Sequence, residues 1–435
     1  MSSILTNVFG FNPVKHKISK ELVAGITTFL TMSYILAVNP DIFKPLADYG
    51  MDTAAVFTAT ALASAIGTLL MAVVAKMPLA LAPGMGLNAF FVYTVCLSMG
   101  YSWRFALTAV LIEGIIFVIL TLTNIRSWIV DAIPVSIKNA IGAGIGLFIA
   151  LIGMQNAGII VSDDSTLISL GKITSGSALL ALIGLLVTVP LMVKKVPCAL
   201  LIGIFITTLI GIPMGITEWR GFVSLPPSIS GTFCQFEWNN ILCSDMLIVV
   251  ATMLFLDIFD TMGSLVAICT QAGLTERDGS IPRINKAFMA DSIATIFGAI
   301  VGTNTTTTYI ESASGVSAGG RSGLTSAITA LCFLLALFLA PLFLAVPSAA
   351  TAPVLIIVGL MMLKPIKDLY LNDFSESVPA FITLITIPMA YSISDGIMLG
   401  VISYTIINAL CGKFRKVSIP MWVLTACFIC RYILL

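Results

Sequence analysis

Charged side chains are scarce in this sequence. Only 10% of its 435 residues are Asp, Glu, Lys or Arg, whereas 58% are hydrophobic. Soluble domains are about a quarter charged and about half apolar. A soluble protein of this size could not bury so much apolar surface, so we expect lipid to be the solvent for most of the chain.

Other absences exclude several functional classes. The formal net charge of +1 leaves no basic or acidic excess for nucleic acid. The single histidine, His16, lies in the polar N-terminal stretch, and Asp163-Asp164 has no second acidic cluster with which to bind a metal. The G-x-G-D motif of intramembrane aspartyl proteases is missing. We therefore expect no cofactor, no metal site and no enzymatic activity.

Apolar runs long enough to span a bilayer recur about fourteen times, by the rule of about 20 residues per span. The first run is too long for a signal peptide and no cleavage signature follows it, so we expect it to be retained. The first-half segments are 21–39, 54–75, 79–98, 103–124, 133–157, 175–193 and 197–215. The second-half segments are 245–270, 286–300, 302–318, 322–345, 348–363, 377–393 and 395–411. A short apolar stretch at 420–434 is either interfacial or an extra helix.

The positions of the basic residues predict the orientation. With the N-terminus in the cytoplasm, 17 of the 22 Lys and Arg residues fall on the inner side, as the positive-inside rule requires. Only Lys44, Arg104, Lys172 and Arg220 fall outside, and Arg431 lies in the uncertain tail. We therefore expect a multi-pass protein of the cell membrane with a cytoplasmic N-terminus. The outer loop contains Cys234 and Cys243, for which a disulfide and free thiols are both open.

The two halves of the chain resemble each other in where their helices break. The third segment begins with Ala82-Pro-Gly-Met-Gly-Leu-Asn88, and the tenth begins with Val301-Gly-Thr-Asn-Thr-Thr-Thr-Thr-Tyr309. Gly and Pro break helices, and consecutive threonines prefer extended chain. Seven segments per repeat is an odd number, so the second repeat is inverted. Inverted repeats with matching broken segments are typical of transporters with a site near the membrane midplane.

This pattern predicts an all-α polytopic membrane protein with segments 3 and 10 partly extended. The predicted divisions are a cytoplasmic N-terminus (1–20), a first repeat (21–215), an extracytoplasmic loop (216–244), a second repeat (245–412) and a C-terminal tail (413–435).

Carboxylates within the membrane are costly and are candidates for function. Asp257 and Asp260 lie three residues apart near the middle of segment eight and share a helix face. Glu311 follows the threonine run, where a helix N-terminus provides free N–H groups. For each acid, a purely structural role is the alternative.

Three other polar residues lie within the predicted segments. Glu113 lies alone in the middle of the fourth segment, with no partner that the sequence indicates. Asp291 is expected to hold a helix end. Asn88 closes the first broken element, where its amide suits either the edge of a heterocycle or the cap of the following helix.

Eight stretches in collinear order over nearly the whole chain resemble the guanine/hypoxanthine permeases, the purine branch of the nucleobase–ascorbate transporter superfamily. They are GITTFLTMSYILAVNP (25–40), APGMGLNAFF (82–91), GAGIGLF (142–148), FDTMGSL (259–265), TQAGL (270–274), ADSIATIFGAIVGTNTTTTYIESASGV (290–316), GGRSGLT (319–325) and SVPAFIT (377–383).

The resemblance implies a core domain of segments 1–4 and 8–11 and a gate domain of segments 5–7 and 12–14, moving in an elevator-type cycle. It places a purine base between the extended parts of segments three and ten. The substrate contacts that it implies are Asp260, Glu311, Asn88 and Thr308, with main-chain groups around Phe90 and Ile310. A homodimer remains open.

The resemblance also implies coupling of transport to a proton. Uracil-type relatives have a histidine four residues after the segment-eight acid, where this chain has Ser264. Asp257, Asp260 or Glu311 is then expected to carry the proton. Sodium coupling and an anion transporter of the same architecture are the alternatives. An ionised carboxylate accepts N1–H of hypoxanthine or guanine, whereas adenine has an acceptor at N1, so the chemistry favours the first two.

Overall fold

A computed structural model of the chain describes residues 2–14, 16–123, 134–163, 165–219, 221–239, 241–271, 281, 283–369 and 372–434. Most of these residues are helical. The helices of the first half are α1 Ser2–Phe9, α2 Ile18–Met32, α3 Ile35–Phe43, α4 Thr53–Leu70, α5 Met85–Ala89, α6 Trp103–Thr123, α7 Val135–Asn156, α8 Gly176–Val193 and α9 Ala199–Gly211.

The second half repeats this arrangement. Its helices are α10 Ser244–Gln271, α11 Ile284–Val301, α12 Ser312–Ser317, α13 Gly323–Ala336, α14 Ala340–Leu344, α15 Ser348–Met362, α16 Phe374–Met389, α17 Ile393–Leu410 and α18 Ile419–Leu434. Four short strands complete the described fold: β1 Leu81–Pro83, β2 Ile160–Asp163, β3 Leu167–Leu170 and β4 Thr306–Thr308.

The strands β1 and β4 pair antiparallel inside the protein, with Ala82 opposite Thr307. We call this paired region the strand crossing, because the third and tenth segments meet there. The two strands are the extended parts predicted for segments three and ten. In lipid, extended backbone must find its hydrogen bonds within the protein. Beyond the ladder, Gly84 N–H donates to Thr305 O at 3.0 Å and Tyr309 N–H donates to Ala80 O at 3.0 Å. Each broken segment therefore provides hydrogen-bond partners for the backbone N–H and C=O groups of the other.

Local sequence signals determine where several helices begin and end. The side chains of Asp52, Ser322 and Ser392 accept backbone N–H groups at the starts of α4, α13 and α17. Such caps satisfy N–H groups that have no partner within the helix. Gly302 ends α11 with φ +97°, a backbone conformation that favours glycine. The chain can therefore turn from α11 directly toward β4.

The helices pack in two groups. One contains α2–α6 and α10–α13 with the strands β1 and β4, in which α11 packs on both α4 and α6, α13 packs on α2 and α4, and α3 packs on α4. The other contains α7–α9 and α15–α17, in which α7 packs on both α15 and α16. These groups contain the segments expected in the core and gate, so the predicted fold class is confirmed. We call them the core group and the gate group.

Each of the fourteen predicted segments corresponds to one helix, to two consecutive helices (segments 1 and 11) or to a strand followed by a helix (segments 3 and 10). Within the described ranges, nine helices are long and apolar enough to span a membrane, and four shorter apolar helices accompany them. The tail forms α18, which packs on α17. Cys234 and Cys243 are both free thiols. The residues Lys15, Arg126, Ile133, Asp164, Arg220 and Arg277 and part of the 270–274 motif lie outside the described residues.

The gate helices α7 and α15 approach each other closely at two glycines. A Cβ atom added to Gly146 would lie 2.6 Å from the carbonyl oxygen of Gly359, and one added to Gly359 would meet the backbone of Gly146. Small residues of this kind allow membrane helices to pack backbone against backbone.

We expect Gly146→Ala to destabilise the purified protein by about 1–3 kcal/mol, because the methyl group overpacks this crossing. Gly142→Ala, one turn earlier in the same helix, is the matched control, since a Cβ there meets nothing within 4 Å. Thermal unfolding in detergent compares the two variants. Equal melting temperatures would contradict the close packing at Gly146.

Candidate substrate site

A cavity of about 700 Å³ lies between the core group and the gate group. The core group contributes residues from β1–α5, α10 and β4–α12, and the gate group contributes apolar residues from α7 and α15. A mostly apolar lining with a few polar groups is typical of small-molecule sites. The polar side chains at the strand crossing are Tyr34, Asp260, Thr307, Thr308, Tyr309 and Glu311.

Glu311 lies just before α12, immediately after the β4 crossing. Its Oε1 atom accepts a hydrogen bond from the Tyr34 hydroxyl at 2.6 Å. Tyr34 lies where the helices α2 and α3 meet, and its ring is fully buried. A hydroxyl that donates to a carboxylate stabilises its ionised form and fixes its orientation. Tyr34 therefore engages Oε1, the backbone N–H of Glu311 itself also donates to the carboxylate, and Oε2 is the oxygen that has no bond to Tyr34.

Asp260 lies on α10 and its side chain is exposed to the cavity. Its Oδ2 atom accepts from Thr307 Oγ1 at 3.1 Å. Because Thr307 belongs to β4, this bond connects α10 to the strand crossing. The arrangement resembles that of Glu311, since in each case a hydroxyl engages one carboxylate oxygen.

The chain around these acids is held by Tyr309. Its hydroxyl donates to the Pro83 carbonyl oxygen at 2.6 Å, which connects the tenth segment to the third. Thr308 and Ile310 also line the cavity, and the Ile310 side chain is 44% exposed. Four of the predicted contact residues, Asp260, Glu311, Thr308 and Ile310, therefore meet in one place.

Asn88 and Phe90 do not line the cavity. Both are fully buried behind it, on α5 and on the π-helical stretch that follows. The Asn88 amide finds no side-chain hydrogen-bond partner among the described residues. The contact of Asn88 with a substrate therefore stays a prediction. For that contact to form, α5 would have to move so that Asn88 reaches the cavity.

Asp257 faces a different environment from Asp260. It lies fully buried in a cluster with Glu113 of α6 and Asp291 of α11. Thr261 Oγ1 donates to Asp291 Oδ2 at 2.7 Å and is 3.2 Å from Asp257 Oδ1. The spacing of Asp257 and Asp260 predicts that they share a helix face. In the structure, however, Asp257 lies against α6 and α11, whereas Asp260 contacts β4.

Glu113 has partners that the sequence did not indicate. Thr305 Oγ1 donates to Glu113 Oε2 at 2.8 Å, and Asp257 is a further hydrogen-bond partner of Glu113. Two ionised carboxylates offer only acceptors, so a hydrogen bond between them requires a proton. Asp291 lies within α11 rather than at its end, so the expectation that it holds a helix end is wrong. The cluster supports the chain that enters β4.

We expect Glu113→Ala to destabilise the protein by about 1–3 kcal/mol, because it leaves the buried Thr305 hydroxyl without its acceptor. Glu113→Gln keeps an acceptor oxygen and is expected to melt close to wild type. Thermal unfolding of the purified variants measures both. A Glu113→Ala variant as stable as the wild type would contradict a supporting role for the cluster.

Comparison with known proteins identifies the family. Residues 19–399 match the Permease family Xan_ur_permease. The guanine/hypoxanthine permease PbuG of Bacillus subtilis is 46% identical over 439 residues, covering 98% of this chain and 99% of its own. The adenine permease AdeQ of Escherichia coli is 39% identical over 433 residues, covering 100% and 97%.

Solved structures with the same fold are more distant in sequence. The transmembrane domain of the cyanobacterial bicarbonate transporter BicA superposes with a TM-score of 0.66 at 16% identity, covering 86% of this chain and 96% of that one. The murine anion transporter Slc26a9, in its inward-facing state, gives 0.65 at 13% identity, with 94% and 70% covered. These likenesses show a helical membrane-transporter fold. The sequence matches show that the chain belongs to the Xan_ur_permease family, within the nucleobase–ascorbate transporter superfamily, and is a permease rather than an enzyme.

Proposed function

We propose that the protein imports purine nucleobases together with protons, by movement of the core group against the gate group. The observation that carries this proposal is the pair Asp260 and Glu311 at the strand crossing. Each carboxylate has one oxygen engaged by a hydroxyl of the protein and faces a largely apolar cavity. A purine is flat, apolar on its faces and rich in N–H donors at its edges, which matches such a cavity.

The base preference follows from the hydrogen-bonding edge that Glu311 meets. An ionised Glu311 accepts from N1–H of hypoxanthine or guanine, and the guanine amino group adds a second donor. Adenine places an acceptor at N1 and requires a donor instead. Relatives with names of both kinds, PbuG and AdeQ, are similar to this chain over nearly its whole length. We propose guanine and hypoxanthine as the preferred substrates.

The proposed coupling ion is the proton. Ser264 lines the cavity at the position where uracil-type relatives have a histidine, and it cannot carry a proton near neutral pH. The acids of the core group, Asp257, Asp260 and Glu311, remain as carriers. A bound proton would neutralise charge before the core moves past apolar gate residues, which reduces the desolvation cost. Sodium is the alternative, and the experiment below separates the two.

The position of the cavity supports alternating access. It extends to Lys138 near the start of α7 and to Lys364 just after α15, which are the ends that the positive-inside rule places in the cytoplasm. At the start of α15, Ser348 and Thr351 donate to the Asp41 carboxylate of α3, at 2.5 Å each. The α15 helix has 15 residues, so these contacts lie roughly 20 Å from its inner end.

Asp41 therefore connects the core group to the gate group on the side away from the cavity mouth. We propose that the protein lies in the cell membrane with its N-terminus in the cytoplasm. In that orientation, the Asp41 contact closes the site toward the outside while the cavity is open to the cytoplasm. Opening outward requires the two hydroxyl hydrogen bonds to break.

We expect Glu311→Gln and Asp260→Asn to abolish saturable uptake of radiolabelled hypoxanthine in cells without their own purine permeases, because each removes an ionised acceptor from the site. Wild-type uptake is expected to be stronger at acid external pH and to collapse with a protonophore. Asp48→Asn is the control, since this residue is exposed and does not line the cavity.

The same assay separates the alternatives. Uptake that requires external sodium and is unaffected by the protonophore would show that sodium, rather than the proton, is the coupling ion. Absence of uptake of every purine base by well-expressed wild type would overturn the substrate assignment. Competition by guanine and adenine measures the base preference.

We expect Asp41→Ala to lower the external KM for hypoxanthine by up to about tenfold. If most empty carriers face inward, only a small outward-facing fraction can bind external substrate, and the apparent external affinity is lower in proportion. Weakening the outer contact raises the outward-facing fraction and therefore lowers KM. A Ser348→Ala, Thr351→Val double variant removes the partner hydroxyls and is expected to have the same effect. Initial-rate uptake measures both, and an unchanged KM in both variants would contradict the outer closure.

A further inference from the structure

The hydrogen bond between Tyr34 and Glu311 joins residues that are 277 positions apart. Tyr34 is contributed by the meeting point of α2 and α3, and Glu311 by the start of α12. Both belong to the core group, so their bond persists as the core moves. Tyr34 was not among the residues that the sequence indicated for the site, and its effect on the proton of Glu311 is not part of the function proposed above.

The phenol restricts where Glu311 can bind a proton. A phenol keeps its own proton at neutral pH. While Tyr34 donates to Oε1, a proton added to Glu311 can occupy Oε2 without breaking this bond. A proton on Oε1 would instead compete with the phenol for the same oxygen. Oε2 is thus the atom available both to a proton and to a substrate.

We propose that Tyr34 is a positioning residue that reserves Oε2 of Glu311 for the base and directs any proton on Glu311 to that same oxygen. The inference rests on the purine-binding function proposed above. Its consequence is that the identity of the base and the pH become linked. A base with N1–H competes with the proton for Oε2, whereas a base with an acceptor at N1, such as adenine, hydrogen-bonds to the protonated oxygen.

Other titratable groups face the same pair. Asp260 of α10 and Tyr309 interact electrostatically with both Tyr34 and Glu311, and Lys138 and Lys364 line the same cavity from the gate side. Their titration affects the binding of both bases in the same experiment. We therefore use the ratio of the adenine Kd to the hypoxanthine Kd, in which effects common to the two bases cancel.

The test is equilibrium binding of both bases to purified protein in detergent between about pH 5.5 and 8, where no gradient drives transport. For wild type, we expect the adenine-to-hypoxanthine Kd ratio to fall about tenfold or more from the alkaline to the acid end. For Tyr34→Phe, we expect weaker hypoxanthine binding by about tenfold, the effect of losing a hydrogen bond to a charged group. Its Kd ratio is expected to fall at a higher pH than in wild type, because the ionised form of Glu311 loses the hydrogen bond that stabilises it.

Tyr101→Phe is the matched control. Tyr101 also donates its hydroxyl to a carboxylate, Asp245 Oδ2, at 2.7 Å, but it does not line the cavity. We expect Tyr101→Phe to keep the wild-type affinities and pH dependence. Thermal unfolding of each variant checks that the fold is intact.

A double-mutant cycle tests whether Tyr34 acts through Glu311. In a Glu311→Gln background, which has no titratable group at this position and whose amide can still donate to N1 of adenine, Tyr34→Phe should leave the pH dependence of adenine binding unchanged. A Tyr34→Phe variant with the wild-type pH dependence, or a Tyr34→Phe effect on it that persists in the Glu311→Gln background, would overturn the inference. If wild type binds neither base, the proposed function fails, which is a different outcome from normal binding with no effect of Tyr34.

Discussion

The antiparallel crossing of β1 and β4 is the constraint on which the rest of the structure depends. Extended backbone within a membrane is stable only when protein groups satisfy it. The ladder from Leu81 to Pro83, the Tyr309 hydroxyl on Pro83 and the Thr305 carbonyl bound by Gly84 N–H meet this requirement. The same backbone geometry ends both helices in the protein interior. Side chains beside the crossing, such as Glu311, therefore reach a cavity that continuous helices would have filled.

The positions where helices are interrupted could be predicted from the sequence because the residues that interrupt them lie at those positions. Gly and Pro before Asn88 and the threonine run before Tyr309 predicted extended chain, and the structure forms strands at both places. Hydropathy likewise predicted the segments, because each span needs its own apolar run. Glu311 was a site candidate because it lies next to one of these breaks, whereas Asp260 was a candidate because it is an acid in the middle of a membrane segment.

Contacts between distant segments were not readable in this way. Glu113 appeared isolated because its partners, Thr305 and Asp257, are contributed by other segments. Asp257 and Asp260 share a helix face by spacing, but a face of a packed helix borders several neighbours, and spacing does not say which one each residue meets. Tyr34 looked like one aromatic residue in an apolar run, and only the packing of the first segment against the tenth gives it a carboxylate partner.

Hydroxyl groups donate to three buried or cavity-facing acids of the core group among the described residues. Thr305 donates to Glu113, Thr307 to Asp260 and Tyr34 to Glu311. A lysine or arginine partner would stabilise only the ionised carboxylate, and protonation would then leave a buried cation unpaired at a high cost. A hydroxyl can donate to a carboxylate and, more weakly, to the carbonyl oxygen of a carboxylic acid. Acids held in this way can gain or lose a proton while their hydrogen bonds and the strand crossing stay in place, which is the property that a proton-coupled site requires.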